Sequence, residues 1–157
     1  AASCAFTGSQ SSIFTEAAQA PTASGKKPLF VLHGGDFHYK DLSTTVLQDR
    51  VTAVDQVLQS STQSALFQST ALVYMWDDHD WLGNDSTRQG ESKNVIQVAL
   101  QSYHELFPYY KPLPSQEANY YYSTGNNTNS NYTSPYHAFT IGTVRFIITD
   151  LVSENTG

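Results

Sequence analysis

Five consecutive residues, Trp76-Asp77-Asp78-His79-Asp80, follow an apolar stretch at 71–75. Carboxylates and an imidazole at this density are poor core material, because a buried charge is costly unless it is paired or bound to a metal. At the C-terminal end of a buried strand they point into the crevice where open α/β sheets bind ligands. Asp36 and Tyr39 follow a second apolar run at 29–32. Cys4 lies 32 residues before Asp36, close to the length of one βαβ unit (~30 residues). Three strand ends are therefore expected to converge on one site carrying thiolate, carboxylate, phenolate and imidazole.

That set has a definite chemistry. Thiolate and phenolate are strong donors to a hard or borderline ferric ion, and carboxylates bridge two cations. Tyr39 stands three residues after Asp36, so a turn leaving the strand can aim both inward. His79 follows Asp78 directly, so a ligand and an acid–base group can share one turn. Two metals ~3.5–4 Å apart clamp a phosphoryl group and activate water. His79 would then protonate the leaving oxygen or stabilise charge on the phosphoryl oxygens, with Asp80 orienting the imidazole. Simpler readings stand beside these: Cys4 as a small core residue, Gly35-Asp36 as a turn, Tyr39 as packing. His33, His104 and His137 read as structural or exposed, and His38 and Asp41 as polar loop groups. The run at 76–80 resists such a reading, since adjacent carboxylates repel unless something cationic holds them.

These groups need a scaffold, and the chain is long enough to build one. At 157 residues it fits a single domain with a core. Its 10 Tyr, 8 Phe and 2 Trp exclude a disordered composition. The net charge of −6 argues against a nucleic-acid backbone as partner, although a bound metal would still admit a phosphorylated substrate. No apolar run approaches the ~20 residues of a membrane span. Cys4 is the single cysteine, so no intramolecular disulfide forms. The chain starts at Ala1-Ala2-Ser3-Cys4 without Met, as a mature or cut product would. Sequons begin at Asn84, Asn126 and Asn131; with few Lys and much Ser and Thr they point to a secreted protein.

Hydrophobic patterning places the supporting elements. Residues 1–4 read as the end of a short strand and 13–20 as a helix capped by Ser11 or Ser12. The run at 29–32, ended by Gly34-Gly35, reads as a buried parallel strand. Leu47, Val51, Val54 and Leu58 mark one face of an amphipathic helix. Residues 71–76 form the next strand. Ile96, Ala99, Leu100, Tyr103, Leu106 and Phe107 mark a further helical face, ended by Pro108. Residues 108–114 read as extended, and 120–134, rich in Asn, Ser, Thr and Tyr, as a long loop. Segments 136–140 and 143–151 flank Ile141-Gly142 as a β-hairpin. Strand–helix alternation followed by a hairpin predicts an α/β layered fold in one domain spanning 1–157.

With these motifs in view, the chain resembles the alkaline phosphatase D (PhoD-like) branch of the metallophosphoesterases. The resemblance rests on Ala2-Ser3-Cys4, Leu32-His33-Gly34-Gly35-Asp36-Phe37-His38-Tyr39, the run 76–80 with Asn84-Asp85, and Phe146-Ile147-Ile148-Thr149-Asp150-Leu151. It implies a layered metallophosphoesterase-like sheet with flanking helices, and hydrolysis of phosphomonoesters or phosphodiesters at a centre of Fe3+ and Ca2+. Cys4 matches the family's thiolate ligand to iron, Asp36 the bridging carboxylate and Tyr39 the phenolate. Asp78 matches the carboxylate that replaces Asn in the commoner Gly-Asn-His-Glu/Asp motif, and His79 the histidine beside the substrate phosphate.

Two departures qualify what the resemblance implies. Val152 stands where the family commonly has Arg after Asp-Leu. Family members also continue beyond this point, and their second half supplies further metal ligands. The chain thus reads as the first half of a metallophosphoesterase domain, expected to hydrolyse phosphate esters poorly by itself and to self-associate or need the missing half. The alternative is a non-catalytic secreted or assembling module that keeps half of the phosphatase fold.

Overall fold

The computed structural model describes residues 2–21, 25–108 and 135–153. The expected extended segment from 109 onward, the loop at 120–134 and the sequons at Asn126 and Asn131 lie outside the described residues. The chain mixes helix and strand, with small sheets. In order it forms α1 (Ser12–Gln19), β1 (Phe30–His33), α2 (Leu47–Leu58), α3 (Gln63–Ser69), β2 (Ala71–Tyr74), α4 (Asp78–Trp81), α5 (Lys93–Leu106), β3 (His137–Ile141) and β4 (Val144–Ile148).

β1 and β2 pair in parallel, from Phe30 opposite Ala71 to His33 opposite Tyr74. A parallel pair needs a crossover, and α2 with α3 supplies it. The two strands therefore end at the same edge, which delivers the loop after His33 and the loop after Tyr74 to one place. The strand expected to end at Cys4 is reduced to a single parallel bridge between Ala2 and His33. The hydrogen bonds Ala2 N to Leu32 O (2.8 Å) and Gly34 N to Ala2 O (2.7 Å) hold it there. Among the described residues the strands form two two-stranded sheets. The antiparallel hairpin β3–β4 is the second. Phe30 of β1 meets Phe139 and Phe146 edge-on at ring separations of 6.0 and 5.2 Å, which packs the hairpin against the parallel pair.

The helices follow local signals. Ser11 caps α1 by accepting from Ile13 N, and Ser92 caps α5 by accepting from Val95 N. α5 ends at Leu106, one residue short of Pro108, as a following proline requires. It buries Val95, Ile96, Ala99, Leu100 and Tyr103, close to the face read from the sequence. α2 is a correction. Its buried face is Arg50, Ala53, Val54 and Val57, whereas Leu58 is exposed. The helix is turned so that a guanidinium, not Val51, enters the interior. The Arg50 Nη atoms donate to the carbonyls of Leu42 (2.7 Å), Asp80 (2.9 Å) and Trp81 (2.6 Å), which satisfies much of its charge. Burial still lowers its pKa to about 10. Trp76, Trp81, Tyr74, Tyr103, Leu100 and Phe37 form the centre of the core. No helix of the described residues is long and apolar enough to cross a membrane.

Candidate metal centre

The loop after β1 approaches the loop after β2 so closely that only glycine fits at the crossing. Gly35 has φ +99°, and a Cβ there would stand 2.5 Å from Asp77 Cβ and 2.8 Å from Asp77 N. This contact sets Asp36 against α4. Asp77 opens that short helix as its cap and forms a reciprocal capping box with Asp80. Asp78 and His79 then fall in the first turn.

Asp36, Asp78 and His79 each bring one ligand atom to within 4.8 Å of the others. Asp36 is buried, at 6% exposed, and adopts φ +54°. Its Oδ2 accepts from the Tyr39 hydroxyl at 2.8 Å, while its Oδ1 is buried with no hydrogen-bond partner. The Asp78 oxygens accept from His79 N (2.9 Å) and Asp85 N (2.6 Å). Cys4 is exposed and also left-handed, at φ +56°, with its amide donating to Gly35 O at 3.2 Å. The Tyr39 phenol is pushed upward first by desolvation and then by hydrogen bonding to Asp36 and Cys4. Of the expected ligands Cys4, Asp36, Tyr39 and Asp78, the structure brings Asp36 and Asp78 together with His79; Tyr39 reaches the group through its bond to Asp36, and Cys4 stands outside it.

Asp80 does not join it. Expected to orient His79, it turns away and is itself buried. Its Oδ1 accepts from the amides of Phe37 (2.7 Å) and His38 (3.2 Å), and its Oδ2 from Asp77 N (3.2 Å). Burial raises its pKa to about 7 despite hydrogen bonds from Tyr74 and these amides. The reason for the correction is helical spacing: two positions after Asp78, a side chain in α4 points to the opposite face. The imidazole of His79 instead meets Asp41, with Nδ1 to Oδ1 at 2.5 Å. Desolvation opposes the charged form of His79, but Asp41 and the other carboxylates outweigh it and raise its pKa. The Tyr39 ring lies against the His79 ring at 4.2 Å. Only the position of Asp41, five residues after Asp36, was visible in the sequence, and a loop aspartate there is unremarkable.

Beside the cluster lies an open cleft of about 340 Å³ lined by Asp77, Asp78, Asp85, Ser86, Thr87, Leu151 and Val152. Asn84 is exposed, its amide donating to Asp85 Oδ2 at 2.8 Å. Asp150, part of the last motif quoted for the resemblance, is a strut. It accepts from Trp76 Nε1 at 2.9 Å and from the Ser153 amide at 3.0 Å, and it also pairs with the Ser153 hydroxyl. No protein-family model, curated protein or solved structure matches the chain.

Proposed function

We propose that this chain carries the metal-ligating edge of a secreted, PhoD-like phosphoester hydrolase. The observation that carries the reading is Asp36 Oδ1, a buried carboxylate oxygen without a partner beside a second carboxylate and an imidazole. A buried acceptor left open is costly, and a cation is the partner that best relieves it. The donors fit hard or borderline cations: Asp36 and Asp78 for a calcium-like ion, with Tyr39 and Cys4 extending the set toward ferric iron. Bound cations would supply charge stabilisation at the phosphoryl oxygens and an acidified water.

The residues divide the remaining work. Asp36 and Asp78 would hold the cations; the Tyr39 hydroxyl donates to Asp36 as the site stands, and the same oxygen would turn to ferric iron as a phenolate when iron binds. His79 carries the proton for the leaving oxygen. The cleft beside Asp78 gives room for the organic part of an ester. Four candidate protein donors are few for two cations, so metal binding is the more direct readout and turnover is expected to be weak. Calorimetric titration with Ca2+ and with ferric iron is expected to show saturable binding that falls at least ~10-fold in Asp36→Asn. The ferric form is expected to show a visible phenolate band that Tyr39→Phe abolishes. Equal cation binding by the wild type and Asp36→Asn would remove the reading.

A further inference from the structure

We propose that the outer edge of β4 docks a second copy of this chain, which adds its own β4 in antiparallel register about a twofold axis. The inference is independent of the phosphoesterase reading and needs no metal.

The hairpin is held so that one edge and one face stay open. Gly142-Thr143 joins β3 to β4, with Ile141 opposite Val144, Phe139 opposite Phe146 and His137 opposite Ile148. Residues flanking a two-residue turn form a hydrogen-bonded pair, and the pattern alternates from there. The backbone groups of Val144, Phe146 and Ile148 therefore face β3, and those of Arg145 and Ile147 face outward. Among the described residues no strand pairs with that outer edge. The inner face is filled: Phe139 and Phe146 stack at 5.0 Å, and both meet Phe30. Just past the strand, Asp150 ties the chain to Trp76 and Ser153. The edge is thus presented in one fixed conformation, which lowers the ordering cost of extending it. On the outer face Ile147 is 69% exposed. Sheets commonly protect such an edge with a proline, a bulge or several charges. β4 has no proline and an unbroken register, and Arg145 is its single charge.

That charge selects the occupant and its register. A closed pair of identical edges is self-complementary about a twofold axis. Two registers keep most of β4 paired, with the axis at Phe146 or at Ile147. At Phe146, the two Arg145 side chains stand two positions apart on one face, about 7 Å along the strand. At Ile147 they stand four positions apart, about 14 Å, beyond the screening length of ~8 Å. The second register also sets each Arg145 opposite Thr149 of the other copy, and it packs the two Ile147 side chains together as a cross-strand pair. A second copy therefore meets the backbone, apolar and charge requirements of the edge at once. It turns a two-stranded sheet, marginal by itself, into a four-stranded one.

Sedimentation equilibrium of the 157-residue chain is expected to show a reversible monomer–dimer equilibrium in the micromolar range. Ile147→Lys puts two like charges on the axis and is expected to give a monomer with unchanged circular dichroism, because the side chain it replaces is exposed. Thr149→Glu puts a carboxylate opposite each Arg145 and is expected to tighten the dimer ~3–10-fold. Thr149→Lys is expected to weaken it by a similar factor, even though it reduces the net charge of −6. A wild type that is monomeric at every concentration, an Ile147→Lys chain that still dimerises, or Thr149 variants that leave the affinity unchanged or shift it in the same direction would overturn the proposal.

Discussion

Asp36 and Asp80 are buried to nearly the same degree, 6% and 5% exposed, yet they lie in opposite situations. Asp80 accepts three backbone amides and joins two loops to one short helix. Asp36 receives one phenolic hydroxyl and keeps its other oxygen open. Burial alone therefore does not mark a functional carboxylate. What separates the two is whether the fold has already used the lone pairs, because a filled acceptor stabilises structure and an open one is left available to a ligand.

Removing the filled carboxylate should produce the largest effect. Asp80→Ala leaves the amides of Phe37, His38 and Asp77 without their acceptor, and we expect a loss of ~3–5 kcal/mol in urea unfolding. A loss below ~1 kcal/mol would mean that water replaces Asp80 and that the contrast with Asp36 is overstated.

The pH dependence of stability sharpens the same point. His33 and His38 are held near pKa 4, mainly by desolvation, and their unfolded value is ~6.5. Between pH 4 and 6.5 the unfolded chain binds two protons there that the folded chain refuses. Asp80, raised to about 7 by burial, works oppositely: over this range the folded chain keeps a proton that the unfolded chain has released. Over these three groups the balance is about one more proton on the unfolded chain. Stability is thus expected to rise by ~1.4 kcal/mol per pH unit from 4 to 6.5. In Asp80→Asn the opposing proton is gone and the slope should roughly double. A fall of ~1.4 kcal/mol per pH unit in the wild type would show that the two histidines titrate normally.

The smallest effect on stability is expected at Asp36. Asp36→Asn removes a charge that is only half satisfied, so unfolding free energy should change by less than ~1 kcal/mol. A loss as large as that of Asp80→Ala would place Asp36 among the structural carboxylates.

Much of this contrast was out of reach of the sequence. The strands at 29–32 and 71–76 were legible as apolar runs, and the structure moves their ends by one or two residues. The convergence of Asp36, Asp78 and His79 followed from those two strands ending together. The roles of Asp80 and Asp41 did not follow, because they depend on a four-residue helix after Trp76 that turns adjacent side chains in different directions. α3 was also unforeseen; Gln63-Ser64-Ala65-Leu66 has little periodicity over so short a span. The face of α2 was misread because a charged residue is ordinarily assigned to solvent, whereas Arg50 finds carbonyls enough to stay inside.

Arg50 has a consequence for the order in which the molecule assembles. Its planar head reaches the carbonyl of Leu42 in one loop and those of Asp80 and Trp81 in α4, so a residue from α2 spans both segments that carry the Asp36, Asp78 and His79 cluster. Lysine has one compact ammonium and lacks the fork to make these three bonds together. The spacing of the cluster therefore depends on α2 being docked. In hydrogen exchange, the amides of Phe37 and His38 should accordingly open in one cooperative unit with α2, so that the edge matures late in folding and comes apart together with that helix.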